Sequence, residues 1–578
     1  MSNALEAASL IMVPSGYEDG TLGSLKPTDG SGDFTFTRGS NLSATRINEQ
    51  GYIEKGYENL LLQSNQFDTT WQSVRVSEST GFAGYDGTND AWKIVPNTQL
   101  GDHRLDQSTS VSGVWTFSIY AKAAGYDFLY ILFSGIGNSG KVIDISPNQG
   151  VVVDSKGGVQ AIDESITDVG NDWWKITLTY SGTLGTLRII TLPANDTSTY
   201  AGDGVSGILI QDAMLNQGLA AYPYIETTTA PVAGGILEDM PRLDWSGSCP
   251  SLLLEPSRTN LFPHSEYFMA ASWASKTGFI TEENTNETLS PEGYYNATKF
   301  IATNTDPVIF DFLNVDVAPY VFTFYAKGKG STIGKEIKSR FLYLSSATGQ
   351  NQEDIFTLTG DWQRFEAKTT PTGAGDLLVR IDFPAETAVI GDEAYLYGVQ
   401  FEQGSYPTSY IPTYGVSQTR LGDVCMNAGT QSLFNNDGGV LYAEVEPLTN
   451  GSDVGTLSLR GAGSTATGLL TLKFNYGINT LQYFIYNAGV LEHNRIVSFN
   501  LNQKIKVAAK YSIGECVLYI NGIKQYTRAE FTGFAANTLQ DMSFNTFSTE
   551  YLEAKVNQVL YFPTALSDEE CIALTTIT

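Results

Sequence analysis

Two stretches of this chain close on the same phrase. Gly398 to Thr413 reads GVQFEQGSYPTSYIPT, and Ala213 to Thr227 reads AMLNQGLAAYPYIET. Aligned on Gln403-Gly404 and Gln217-Gly218, they share Tyr410-Ile411 with Tyr224-Ile225, then Thr413 with Thr227. The echo continues upstream. Asn59-Leu60-Leu61 opens NLLLQSNQFDTTW and Asn260-Leu261-Phe262 opens NLFPHSEYFMAASW, each followed by Ser (Ser64, Ser265), Phe (Phe67, Phe268) and Trp (Trp71, Trp273). WTFSIYAKAAG answers VFTFYAKGKG, and GNDWWKITLTY answers TGDWQRFEAKT. Landmarks that recur in one order make residues 59–229 and 259–416 two copies of one module.

Each copy reads as strands. FTFYAKG alternates Phe322 and Phe324 against Thr323, and WKITLTY sets Trp174, Ile176, Leu178 and Tyr180 opposite Lys175, Thr177 and Thr179. Alternating strands with Gly, Pro and Asn in the gaps predict an antiparallel sandwich. The final strand, YLYGVQFEQ, is expected to pair with the first and to end at Gly404. The Tyr-Pro-Thr-Ser-Tyr-Ile-Pro that follows is an extended exit, because proline cannot donate to a ladder.

Short preludes carry an arginine before each module: Arg46 in TRINEQGYIE, Arg242 in PRLDWSGSCP and Arg420 in TRLGDVC. Each is expected to pin a linker to its neighbour through carboxylates or carbonyls. The third prelude announces a third module. There GGVLYAEVEPL opens, Asn521-Gly522 sits between alternating strands as a hairpin signal, and Ser567 with Glu570 forms a capping box before a short helix. The fold class is therefore all-β: three tandem antiparallel, jelly-roll-like sandwiches at 59–229, 259–416 and 435–578. Linkers span 230–258 and 417–434, and an extended segment spans 1–58. At 578 residues, several cores are expected.

Composition narrows the function. The net charge of −28, from 34 basic and 62 acidic side chains, repels phosphate backbones and argues against nucleic acid. Four cysteines (Cys249, Cys425, Cys516, Cys571) form no CxxC, and with three histidines they give no zinc signature. No run approaches the ~18 apolar residues of a membrane helix, so no membrane insertion is expected. The first twenty residues lack the basic region of a signal peptide. There is no GxSxG, HExxH or P-loop, and the chain is expected not to be an enzyme.

The series NLL-x-x-S…F…W, YAKA or YAKG, then GVQFEQG…TSYIPT resembles the carbohydrate-binding-like β-sandwich modules repeated in bacteriophage virion proteins. The leader LIMVPSGYEDGTLGSLKPTDG is similar to segments that precede such modules. LYINGIK and ALSDEECIAL resemble laminin-G/concanavalin-A-like domains. The resemblance implies a head or tail fibre or other virion appendage. It would assemble in the host cytoplasm, form a homo-oligomer, bind other virion proteins and display modules for host or mucosal glycans. A purely structural decoration protein and a bacterial surface lectin are the alternatives.

Sugar binding needs exposed aromatic faces with polar groups beside them. Trp71/Trp273 and Trp173/Trp362 recur and are read as scaffold, which leaves Trp92 and Trp115 as ligand candidates. Lectin-like sandwiches often hold Ca²⁺ on loop oxygens, so Asp203, Asp392 and Glu393, in Gly-flanked turns, are candidates for a structural calcium site; no other cofactor is expected. Leu10, Ile11, Met12 and Val13 form an apolar strip too short for a core of its own. They are expected to dock the chain onto the virion, so that deleting residues 1–40 spares the modules and abolishes incorporation.

Overall fold

The structure is a computed structural model. It describes residues 2–40, 42–344, 346–383, 388–448, 454–461, 468–499, 503–528, 531–546 and 550–577, with side chains from residue 5 onward.

The first two modules have the same strand order. In the second, one sheet runs Ser275–Thr277, Val308–Val315, Gly375–Asp382, Glu336–Tyr343, Gln352–Thr357. The facing sheet runs Phe279–Glu282, Thr298–Ala302, Glu393–Gln403, Tyr320–Lys329, Gln363–Thr369. The first module repeats this order and adds two consecutive strands, Val151–Lys156 and Asp163–Gly170, one on the edge of each sheet. Even the irregularity repeats. The register of Val114–Ala124 against Gly207–Gln217 shifts between Ser118 and Tyr120, and that of Tyr320–Lys329 against Glu393–Gln403 shifts between Thr323 and Tyr325. The extra residues, Asp212 and Gly398, both have positive φ, 54° and 59°.

The closing strand is not a partner of the first. Glu393–Gln403 is central, between Tyr320–Lys329 and Thr298–Ala302. The opening phrase instead clamps it from outside through asparagine. Asn260 Nδ2 donates to the carbonyls of Val399 (3.1 Å) and Ile411 (2.9 Å), while its Oδ1 accepts from the amides of Phe262 (3.2 Å) and Phe401 (3.1 Å). Asn59 does the same with Ala213, Ile225, Leu61 and Leu215. Ser265 Oγ meets Tyr410 Oη at 2.6 Å and accepts from the Thr413 amide; Ser64 does so with Tyr224 and Thr227. The recurring Asn, Ser, Tyr and Thr are thus one lock, fastening each module's entrance to its exit.

The third sandwich draws strands from elsewhere in the chain. Its long strand Ala554–Phe562 pairs on one side with Gly438–Pro447. On the other it takes Ser251–Leu254 from the first linker and Leu10–Met12 from the amino-terminal segment, end to end. Leu10 and Met12 are fully buried in that core. The strip predicted to dock onto a virion is therefore used inside the chain. Ile11 packs beside Leu560 and Phe562 on the other face of the same sheet, and Val13 follows half-buried. Pairing two short strands there keeps Ala554–Phe562 from being an open edge.

The preludes meet in a buried hub. Arg242 and Arg420 are fully buried, and both bond Glu255 Oε2 at 2.8 Å; Arg242 also pairs with Asp423, as does Arg38. Burial pushes the Glu255 carboxyl upward, but Arg420 and Arg242 outweigh it and bring it down to about 2. Arg46 stands apart, paired with Glu54 and bonded to Tyr17. A second buried cluster wedges the first two modules together. Lys55 bonds Glu266 (2.6 Å) and Glu292 (2.9 Å), while Tyr222, Tyr397 and Tyr410 donate hydroxyls to those carboxylates.

Candidate functional site: an aromatic groove on the second module

Strand alternation fixes the floor of the groove. In Tyr320–Lys329, Phe322, Phe324 and Ala326 face the core, so Tyr325, Lys327 and Lys329 face outward. Trp362, in the turn before Gln363–Thr369, stands beside them. Over this face lies the loop from Glu283 to Ala297, far longer than its counterpart Ala83–Asp90 in the first module. The amino-terminal hairpin adds Gly51, Tyr52 and Ile53.

These parts are tied. Trp362 Nε1 donates to the Leu289 carbonyl (2.8 Å), Lys327 Nζ to Thr288 Oγ1 (3.0 Å), and the Ile53 amide to the Pro291 carbonyl (2.8 Å). The Tyr52 ring lies so close over Gly293 that a Cβ there would sit 3.2 Å from it. The result is an open groove of about 570 Å³ walled by Tyr52, Tyr295, Tyr325 and Trp362. Tyr295 is 55% exposed and Tyr52 38%. Clefts of about 600, 650 and 590 Å³ at the module ends each hold one tyrosine, Tyr414, Tyr551 and Tyr320. A smaller cleft of about 300 Å³ has two, Tyr325 and Tyr410; the groove brings four ring residues together with hydroxyl, carbonyl and charged groups.

Among the described residues, Glu287 is the one carboxylate on its lining. It accepts from Lys329 (2.7 Å), Tyr395 (2.7 Å) and Lys299 (2.9 Å), which hold it down to about 2. It stays charged, with no proton to give near neutral pH.

In the first module the same face is filled. Tyr120, the counterpart of Tyr325, carries Tyr85 stacked on it at 3.5 Å and 4°, with Tyr85 Oη donating to Asp212 (2.9 Å). Trp173, the counterpart of Trp362, is buried beneath.

The sequence candidates lie elsewhere. Trp92 is buried against Phe67 and donates to the Asn65 carbonyl; Trp115 is fully buried against Phe133 and Tyr180. Neither ring reaches solvent, because both stand on inward positions of their strands. The calcium candidates are already engaged. Asp203 accepts from the amides of Val205 and Ser206 and from Ser206 Oγ. Asp392 pairs with Lys335 (2.5 Å), and Glu393 with Lys329 (2.5 Å). Among the described residues, no three His, Cys, Asp or Glu side chains stand together as a metal site. Recurrence marks Trp362 as scaffold, yet it lines the groove, and Tyr52 and Tyr295 carry no repeat signal. The unequal length of the two loops was the available signal.

No family model matches the chain, and no curated protein matches it. Among solved structures, it is similar to the Caenorhabditis elegans galectin LEC-6 at 12% identity, covering 22% of this chain and 83% of that one, with a TM-score of 0.18. The Ruminococcus gnavus IT-sialidase CBM40 bound to α2,3-sialyllactose is 14% identical over 25% and 84% of the two chains, TM-score 0.22. The CBM22 tandem of Paenibacillus barcinonensis Xyn10C is 12% identical over 63% and 99%, TM-score 0.20.

Proposed function

We propose that this chain is a non-catalytic glycan-binding protein whose second module holds the sugar in the Tyr52–Tyr295–Trp362 groove. The observation that carries the reading is four ring faces around one open, polar-edged groove. A pyranose presents an apolar face to such rings and hydroxyls to Thr288, Ser290, Lys327 and the backbone. Glycoside hydrolysis canonically needs two carboxyls across a cleft, one of them an acid. Among the described residues, the groove lining offers Glu287 as its carboxylate, held ionised. A glycan array with the intact chain tests this. Binding is expected, and Trp362→Ala with Tyr295→Ala should abolish it. An intact chain that binds no glycan, or a double variant that binds as well, refutes the reading.

The sequence resemblance supports a bacteriophage virion appendage, displayed as a homo-oligomer for host or mucus adhesion. Attachment would use a surface other than Leu10–Val13, which the chain consumes internally. Antibody to this chain should decorate intact virions in negative stain; clean virions that lack the label would exclude that placement.

A further inference from the structure

The groove contains a cation that differs from its neighbours. Lys299 bonds Glu282 (3.1 Å) and Glu287 (2.9 Å), and Lys329 bonds Glu287 (2.7 Å) and Glu393 (2.5 Å). Lys327, between them in sequence and on the groove wall, pairs with no carboxylate among the described residues; its bond is to the neutral Thr288 Oγ1. The duplicate module shows what this lysine does when it has a structural task. There Lys122, at the same landmark, bonds the Asn171 carbonyl (2.5 Å) and lies 3.9 Å from Asp172. The second module keeps the aspartate, Asp361, but Lys327 has turned away from it toward Thr288. Behind Tyr325, Arg364 likewise bonds neutral oxygens, Thr323 Oγ1 (3.0 Å) and the Thr408 carbonyl (2.8 Å), with its charge 5.7 Å from the ring. In a chain with 62 acidic and 34 basic side chains, a groove-wall ammonium with no carboxylate partner among the described residues stands out.

We infer that the groove selects sugars bearing a carboxylate, and that Lys327 is the group that reads it. This rests on the glycan-binding reading above. An ammonium has three donors, of which Thr288 takes one. A ligand carboxylate would accept from the rest in a charge-assisted bond, while Trp362 and Tyr295 stack on the ring. Glu287 bonds Lys299 and Lys329 rather than Lys327, so it does not occupy the Lys327 donors. The remote acidic surface counts little, since the screening length is about 8 Å at physiological salt.

The test uses the full chain with trigalacturonate, sialyllactose and a mannuronate trisaccharide, each beside its carboxyl-reduced form, and with a sulfated neutral trisaccharide. At least one acidic sugar is expected to bind ten-fold or more tightly than its reduced form, and to weaken with added salt. Lys327→Met should bring the affinity for the acidic form down to that of the reduced form in the same variant, and a thermal unfolding curve matching the parent's shows that the variant is folded. Lys327→Arg should keep most of the preference. Equal affinity for both forms, or an unchanged preference in Lys327→Met, overturns the inference while leaving glycan binding in place. A sulfated sugar that binds best overturns the carboxylate assignment. Loss of all binding by the intact chain would instead remove the reading on which it rests.

Discussion

Trp362 and Trp173 occupy one landmark in two copies and do opposite things. Trp173 is sealed under Tyr85, whereas Trp362 faces an open groove. Trp362→Ala should cost about 1–2 kcal/mol of stability, since the ring is half-buried, and at least ten-fold in glycan affinity. Trp115→Ala, in a sealed core, should cost about 3–5 kcal/mol. Thermal unfolding beside a binding isotherm separates the two, and Trp362→Ala with wild-type binding would contradict the site. A second residue makes a pH prediction. Burial pushes the Glu283 carboxyl up to about 7, outweighing the hydrogen bonds it accepts, among them one from Thr298 (2.7 Å). The folded chain keeps that proton at pH values where the unfolded chain, near 4.5, has lost it. Stability should therefore fall as pH rises from 4.5 to 7, by about 2–3 kcal/mol from this group. Glu283→Gln should show no such loss. Denaturant unfolding of both chains at pH 5 and pH 8 checks it, and parallel shifts would refute it.

At the scale of elements, the asparagine lock dominates. Asn260→Ala would strand two carbonyls and two amides at the junction of opening and closing segments, at a cost of about 3–5 kcal/mol. Hydrogen exchange should rise in the second module and stay unchanged in the first; Asn59→Ala should give the mirror result. Exchange rising equally in both modules would mean the lock is not local. These residues were legible because the chain states them twice. The alternation of FTFYAKG likewise gave the strand directly, with Phe322 and Phe324 on one face and Thr323 on the other. What was not legible was cover. Whether an outward ring meets solvent depends on a loop elsewhere, Ala83–Asp90 in one module and Glu283–Ala297 in the other, and periodicity is silent on that. The place of the closing strand was missed for a related reason: a strand's pattern shows its faces but not its neighbours.

For the whole molecule, the amino-terminal segment is structural. Residues 10–12, 17–22 and 34–37 pair with Ala554–Phe562, with one another and with Val424–Met426. Deleting residues 1–40 should therefore loosen the third sandwich and spare the first two modules. The expected readout is lost protection across Ala554–Phe562, followed by aggregation through the freed edge. A deletion chain with native protection there would show that the strip is dispensable and return it to the pool of docking surfaces. The failure of the sequence to reveal this partner is physical too. Three apolar residues fit many edges, and the one they use is chosen by the completed sandwich.

That pairing also sets a clock. Ser9 waits for Tyr561, 552 residues away. At roughly 5–20 residues per second of synthesis, the interval is about half a minute to two minutes. Throughout it, Leu10 and Met12 trail from a nascent chain whose first two modules have had time to fold. A chaperone that recognises short extended apolar segments would find one there. A chain broken off before residue 554 would leave Leu10 and Met12 without the strand that covers them.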